Sequence, residues 1–236
     1  NDPVLAEELL QDGYCDLVGM TRAGIADPDF PNKAKQGRMI EIRRCIGCNR
    51  CIGDAVHSKT PDMVRRPMCS VNPVVGNELK WKAEYTPAEN PQHVVVVGGG
   101  AAGLEAARIA SLRGHRVTLL EQNKQLGGQL YIASRAPGRD AFEDQIYYQE
   151  NQLQRQGVDV QLGARADFEA VKALRPDALI VASGSIPRVP AEVEGIDLPH
   201  VVQGWDVLQS AVTTGERVAV ISQEDYFETP NVAEFL

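Results

Sequence analysis

Apolar and polar positions follow two different periods along this chain, and the switches between them mark its elements. His93-Val94-Val95-Val96-Val97 is an unbroken apolar run rich in β-branched residues, the pattern of a strand buried in a parallel sheet. Leu104 to Arg113 then has the spacing of an amphipathic helix, ended by Gly114 at the C′ position. Arg116 to Leu120 predicts a second strand, with Glu121 at its tip. Arg139 to Gln156 predicts a long helix closed by Gly157, and Val158 to Leu162 a short strand. The order β-α-β followed by α-β-α-β is that of a doubly wound sheet. Toward the N-terminus the pattern predicts a helix over Leu5 to Gln11 capped by Gly13, then a strand from Asp16 to Met20. A loop over Thr21 to Pro28 and a short helix from about Phe30 to Gln36 follow. A helix–strand–helix of under about 40 residues cannot bury its own apolar faces, so it reads as the last repeat of something larger. Near the other end, Arg217 to Ile221 predicts one more strand.

The first strand runs directly into Gly98-Gly99-Gly100-Ala101-Ala102-Gly103, which matches G-x-G-x-x-G. Strand, loop, helix, second strand and the acidic Glu121, 18 residues after Gly103, all occupy the places a dinucleotide site requires. Gly98 allows the tight turn, Gly100 lets the backbone approach a pyrophosphate, and Gly103 brings helix and strand together. The helix N-terminus, at Ala101 and Ala102, supplies oriented N–H groups. Glu121 would accept hydrogen bonds from a ribose and repel a 2′-phosphate. The expected ligand is FAD, ADP or NAD, not NADP.

Charge and cysteine usage add a second chemistry. The chain has 236 residues, a formal net charge of −8 and 43% hydrophobic residues. That is the composition expected of a soluble globular protein, and the acidity argues against nucleic-acid binding. No apolar run reaches the ~18 residues of a membrane span and no signal-peptide pattern opens the chain, so a cytoplasmic location is expected. The charge is uneven: the window from Lys33 to Arg66 carries +6 and the remainder −14. In or just beyond that basic window lie Cys45, Cys48 and Cys51, spaced C-x2-C-x2-C, and Cys69 after 17 further residues. Disulfides do not suit a long, cysteine-poor chain with no secretory signal. Three cysteines at i, i+3 and i+6 with a distant fourth suit a [4Fe–4S] cubane better than zinc, which usually takes two separated C-x2-C pairs. The nearby Arg43, Arg44, Arg50, Arg65 and Arg66 would offset the cluster's negative charge, steer an acidic partner, or form a solvated face. Cys15 reads as a small buried side chain.

Several stretches resemble known patterns. Leu126-Gly127-Gly128-Gln129-Leu130 resembles the segment that two-dinucleotide-domain flavoproteins run beside FAD, which makes Gly128 and Gln129 further candidates. Asp177 to Pro187 resembles the A-T-G-x-x-P stretch of the same group, with Ser183 in place of threonine. Asp16 to Lys33 resembles the final strand and phosphate loop of the flavin-binding (β/α)8 barrels of the old yellow enzyme family. Arg22 there matches the arginine that binds the FMN phosphate, the alternative being a structural salt-bridge arginine. With Cys45-Ile-Gly-Cys48-Asn and Cys69-Ser-Val-Asn-Pro73, the whole chain resembles the C-terminal portion of the trimethylamine dehydrogenase / 2,4-dienoyl-CoA reductase family. The resemblance implies FMN in a barrel, a [4Fe–4S] cluster beside it, and FAD or ADP in the Rossmann-like domain. It implies an α/β chain divided as the last barrel repeat (1–38), an iron–sulfur module (39–89), the nucleotide-binding domain (90–187) and the start of a second such domain (188–236). A whole barrel needs roughly 250 residues, so the chain reads as a fragment whose substrate pocket and catalytic residues lie elsewhere. The gap before Cys69 exceeds the family's usual one. The insertion around His57 to Arg66 is expected to be a surface loop, with His57 an alternative fourth ligand.

The two branches of that family differ in electron source. After Ile221 the reductase branch would carry another glycine-rich loop for NAD(P)H, but this chain reads Ser222-Gln-Glu224-Asp225-Tyr-Phe-Glu-Thr-Pro230. Two carboxylates would oppose a pyrophosphate there. The Asp-Tyr-Phe-x-x-Pro pattern resembles the amine dehydrogenase and N-demethylase branch. Electrons would run from a small amine through FMN and the cluster to an electron-transfer flavoprotein or ferredoxin. The alternatives are an NAD(P)H-dependent dienoyl-CoA or enoate reductase, acting on an enoyl substrate, and an electron-transfer module with no substrate site. A homo-oligomer is expected.

Overall fold

The computed structural model describes residues 2–56, 67–81, 86–222 and 228–236. The expectations for His57 to Arg66 and for Glu224 and Asp225 lie outside them. The centre of the chain is a four-stranded, all-parallel sheet in the order β3-β2-β1-β4, formed by β1 (His93–Val97), β2 (Arg116–Glu121), β3 (Asp159–Leu162) and β4 (Ala178–Val181). β1 lies inside the sheet because Val94 to Val97 are apolar: Val95 and Val96 are completely buried. Between β1 and β2 runs α6 (Ala101–Leu112), and between β2 and β3 run α7 (Gln129–Ser134) and α8 (Ala141–Arg155). Val94, Val96, Val117 and Leu119 pack with Leu104, Ala107, Ile146 and Leu153 into one core. Gly114 and Gly157, at φ 88° and 70°, end α6 and α8 in the left-handed conformation that suits glycine. A short helix, α9 (Phe168–Ala173), capped by the Asp167 carboxylate on Ala170 N–H at 2.8 Å, leads into β4.

The flanks are helical and looped. α1 (Pro3–Gln11) starts at Asp2, whose carboxylate accepts from Val4 N–H at 2.9 Å. Next come α2 (Thr21–Ala26), α3 (Phe30–Lys35), α4 (Arg50–Val56) and α5 (Glu78–Trp81). After β4 lie α10 (Gly204–Leu208) and α11 (Glu228–Phe235), whose Val207, Leu208 and Val232 pack with Ala136.

Three local expectations are corrected. Residues 16–20 are not a strand: they have no strand partner among the described residues, and Leu17 is 88% exposed. Residues 217–221 are likewise without a strand partner among the described residues, with Ile221 72% exposed. A strand exists only by pairing, and the described sheet ends at β3 and β4. The segment Thr21 to Ala26, expected as a loop, is α2; Ala23 and Ala26 are buried, Ala23 against Phe30 and Ile42. Among the described residues no helix is long and apolar enough to cross a membrane.

Candidate functional site

The glycine loop sits where β1 hands over to α6, and each glycine does a different job. Gly98 has φ 106°, and an added Cβ would run into the carbonyl of Ala182, just past β4. Gly103 faces back onto the Gly98 carbonyl, so a methyl group there has no room. Gly99 is buried under Leu126 and Glu121. At Gly100 a Cβ would meet nothing within 4 Å. Gly100 is the N-cap of α6, and the first helical bond runs from Leu104 N–H to its carbonyl at 2.9 Å. The N–H groups of the first turn, at Ala101 and Ala102, therefore lack helical acceptors and sit on exposed residues. One side of the loop is closed by contact and the other is open backbone.

Glu121 closes the far end. It is 5% exposed; one carboxylate oxygen accepts from Gly99 N–H at 2.6 Å and the other from Asn123 N–H at 2.7 Å. Each oxygen keeps a second lone-pair direction for a ribose hydroxyl. The segment after β2 is stitched to the loop by Gly127 N–H donating to Gly99 C=O at 2.8 Å. Gly128, at φ 52°, lies against the Gly100 backbone. Gln129 reaches across to Ser185, donating to its hydroxyl at 3.0 Å. Thus Gly98, Gly100, Ala101, Ala102, Gly103, Glu121, Gly128 and Gln129 come together where β1 meets α6.

The cysteine segment is elsewhere. Cys45 to Asn49 has no regular structure and turns at Gly47 (φ 69°) and Asn49 (φ 55°), on either side of Cys48. Gly47 N–H donates to the Cys45 sulfur at 3.4 Å. The Cys48 thiol donates to the Ser70 hydroxyl at 3.3 Å, so the chain next to Cys69 returns to this loop despite the long gap. None of the five cysteines forms a disulfide, and Cys15 is only partly buried. Among the described residues no three cysteine, histidine or acidic side chains converge on the point a single metal ion would occupy. A cubane spreads its thiolates over separate irons, and a soft all-thiol donor set with a backbone N–H on sulfur fits one. Arg22, exposed in the first turn of α2, donates to the Asn49 side-chain oxygen at 2.6 Å. The expected phosphate-binding arginine thus touches the cysteine loop.

No sequence pattern signals the buried charges between these two regions. Asp27 accepts from Lys33 Nζ at 2.6 Å and from Arg43 N–H at 2.9 Å. On α6, Glu105 holds Arg108 through two bonds of 2.6 and 2.7 Å and accepts from Gln149 of α8 at 2.8 Å. Burial works to raise the Glu105 pKa, but the Arg108 and Gln149 bonds and the charge of Arg43 outweigh it and hold it below the ordinary carboxylate value.

Residues 92–221 match the pyridine nucleotide-disulphide oxidoreductase family. The chain is 44% identical to an NADH oxidase of Thermoanaerobacter brockii over 93% of its own length and 34% of that protein. It is 38% identical to the N,N-dimethylglycine/sarcosine dehydrogenase of Chromohalobacter salexigens over its full length and 34% of that protein. The solved structure of a 2-naphthoyl-CoA reductase superposes on all of the chain and 34% of that protein, with a TM-score of 0.90 and 34% identity. The chain thus spans about a third of the length of the curated relatives it matches. It belongs to the pyridine nucleotide-disulphide oxidoreductase family, within the trimethylamine dehydrogenase / 2,4-dienoyl-CoA reductase group.

Proposed function

We propose that this chain is the cluster- and nucleotide-holding part of a flavin- and iron–sulfur-dependent oxidoreductase. In this reading residues 1–38 end an FMN barrel, 39–89 carry the cluster, 90–187 bind FAD or ADP, and 188–236 begin a second nucleotide-type domain. The observation that carries it is the glycine loop, packed shut at Gly98, Gly99 and Gly103 and open only at Gly100. A pyrophosphate is an anion that backbone can approach closely there, and the first turn of α6 offers it free N–H groups. Glu121 holds the ribose end and disfavours a 2′-phosphate. Cys45, Cys48, Cys51 and Cys69 would hold [4Fe–4S], and Arg22 the FMN phosphate. Bound, these groups supply two-electron and one-electron redox chemistry; the residues of the chain hold them, space them and set the surrounding charge.

For the whole protein the preferred reading is an amine dehydrogenase or N-demethylase, passing electrons outward to an electron-transfer flavoprotein or ferredoxin. Glu224 and Asp225 in the sequence and the likeness to the dimethylglycine/sarcosine dehydrogenase support it. The second reading, an NAD(P)H-dependent dienoyl-CoA or enoate reductase, is favoured by the likeness to the NADH oxidase and to the naphthoyl-CoA reductase. Stopped-flow reduction of the full-length protein separates them. Rapid flavin bleaching by small methylated amines, with none by NADH or NADPH, is the expected result. The reverse pattern places the protein in the reductase branch.

A further inference from the structure

A cavity of about 300 Å³ lies between the N-terminal helices and the nucleotide-binding half, lined by Asp27, Lys33, Arg43, Asn72, Arg108 and Tyr148 among others. None of the glycine-loop residues and none of the cysteines line it. It holds three cationic side chains and one carboxylate. Two of those cations are compensated by the protein: Lys33 by Asp27, Arg108 by Glu105. Arg43 is not. It is 7% exposed, forms no ion pair among the described residues, and has its Nε buried without a hydrogen-bond partner. What it does have is Tyr148: Nη2 donates to the tyrosine hydroxyl at 3.2 Å, and the guanidinium lies 5.0 Å from the ring centroid. A cation over a ring is weakly stabilised, whereas a buried cation ordinarily has an anion beside it. Because the Tyr148 oxygen accepts from Arg43, its own proton remains to be donated. The Asn72 amide uses one proton on the Ile25 carbonyl at 3.0 Å and has a second. The volume is at the lower end for small-molecule sites.

We propose that this cavity is a second anion site, separate from the nucleotide loop, which takes a small oxyanion on Arg43 with Tyr148 and Asn72 as further donors. The shared chemistry is a carboxylate or phosphate group whose oxygens accept from the guanidinium. Such a ligand would couple the N-terminal helices and the segment around Asn72 to α6 and α8, since each contributes to the wall.

The test is calorimetric titration of the full chain with inorganic phosphate in one arm and succinate in the other, in a chloride–Tris buffer. A Gly100→Leu variant, blocked at the nucleotide loop, is titrated in parallel. One equivalent of phosphate or succinate should bind to both proteins, and whichever arm gives the tighter isotherm identifies the anion class. Arg43→Met should weaken it at least about tenfold. Tyr148→Phe, which keeps the ring under Arg43 and removes only the hydroxyl, should weaken it about threefold. Should the Arg43 variant fail to fold, the Tyr148 variant decides. No binding in either arm, equal affinity in the Tyr148 and wild-type proteins, or binding lost with Gly100→Leu would each overturn the proposal. The last outcome would assign the anion to the glycine loop.

Discussion

Gly100 and Gly103 are both glycines of one motif, yet a methyl group would touch nothing at the first and would strike the Gly98 carbonyl at the second. The difference predicts opposite phenotypes. Gly103→Ala should destabilise the fold by about 1–3 kcal/mol, since the obstacle is backbone on a buried strand–helix turn that cannot move aside. Gly100→Ala should keep stability to within ~1 kcal/mol, because Gly100 already has φ −79° and open space around it. It should nevertheless lose FAD or ADP on purification, as the new side chain occupies the path of the pyrophosphate. Thermal melts combined with chromatography of the released nucleotide read both effects. A Gly100→Ala protein with full nucleotide occupancy would place the site elsewhere. At this scale the sequence was informative, because a glycine motif encodes backbone approach directly. It said nothing of Gly99, whose burial against Glu121 and Leu126 depends on how the 122–128 segment folds back.

Among the elements, those with local causes were legible and those that need a distant neighbour were not. β1, β2, β3 and α8 appear within two residues of their expected ends, because an apolar run or helical spacing stopped by glycine is a local property. α6 begins at Ala101, three residues before the expected start, since its first turn is built from small residues that carry no apolar signal. Residues 16–20 and 217–221 have strand-like sequences and no strand partner among the described residues. The junction of α6 with α8 was equally hidden: Glu105 and Gln149 are 44 positions apart, Arg43 and Tyr148 105. That junction makes stability pH-dependent. Glu105 has its folded-state pKa depressed, so its contribution is present above the unfolded value, about 4.3, and is lost as pH falls through the folded value. Acid titration of the unfolding midpoint should show a stability loss beginning near pH 4. Glu105→Gln should flatten that part of the curve and lower stability at pH 7, because Arg108 is left buried without its carboxylate. An unchanged acid slope in the variant would mean that other carboxylates set it.

For the whole molecule, the two sets of candidate ligands are carried by different parts of the chain, and that separation is itself testable. The glycine loop is fixed by the sheet and α6, whereas the cysteine segment is irregular backbone held by Arg22–Asn49 and Cys48–Ser70 contacts. Losing metal should therefore leave the nucleotide in place, and losing the nucleotide should leave the metal. Anaerobically purified protein should be brown, with about four irons and four acid-labile sulfides per chain. Cys48→Ala should remove most of that iron, because it takes away one of the four expected thiolates, at the turn between Gly47 and Asn49. Cys69→Ala should do the same, because the Cys48–Ser70 contact brings the residue next to Cys69 to the loop. Cys15→Ala, outside the motif, should leave iron unchanged, and all three variants should retain FAD or ADP. Iron and nucleotide content measured on the same samples distinguish the cases. A Cys69 variant with full iron would move the fourth ligand to another residue, with His57 the first to substitute. Stoichiometric zinc without sulfide would replace the cluster by a structural metal and remove the electron route through this part of the chain.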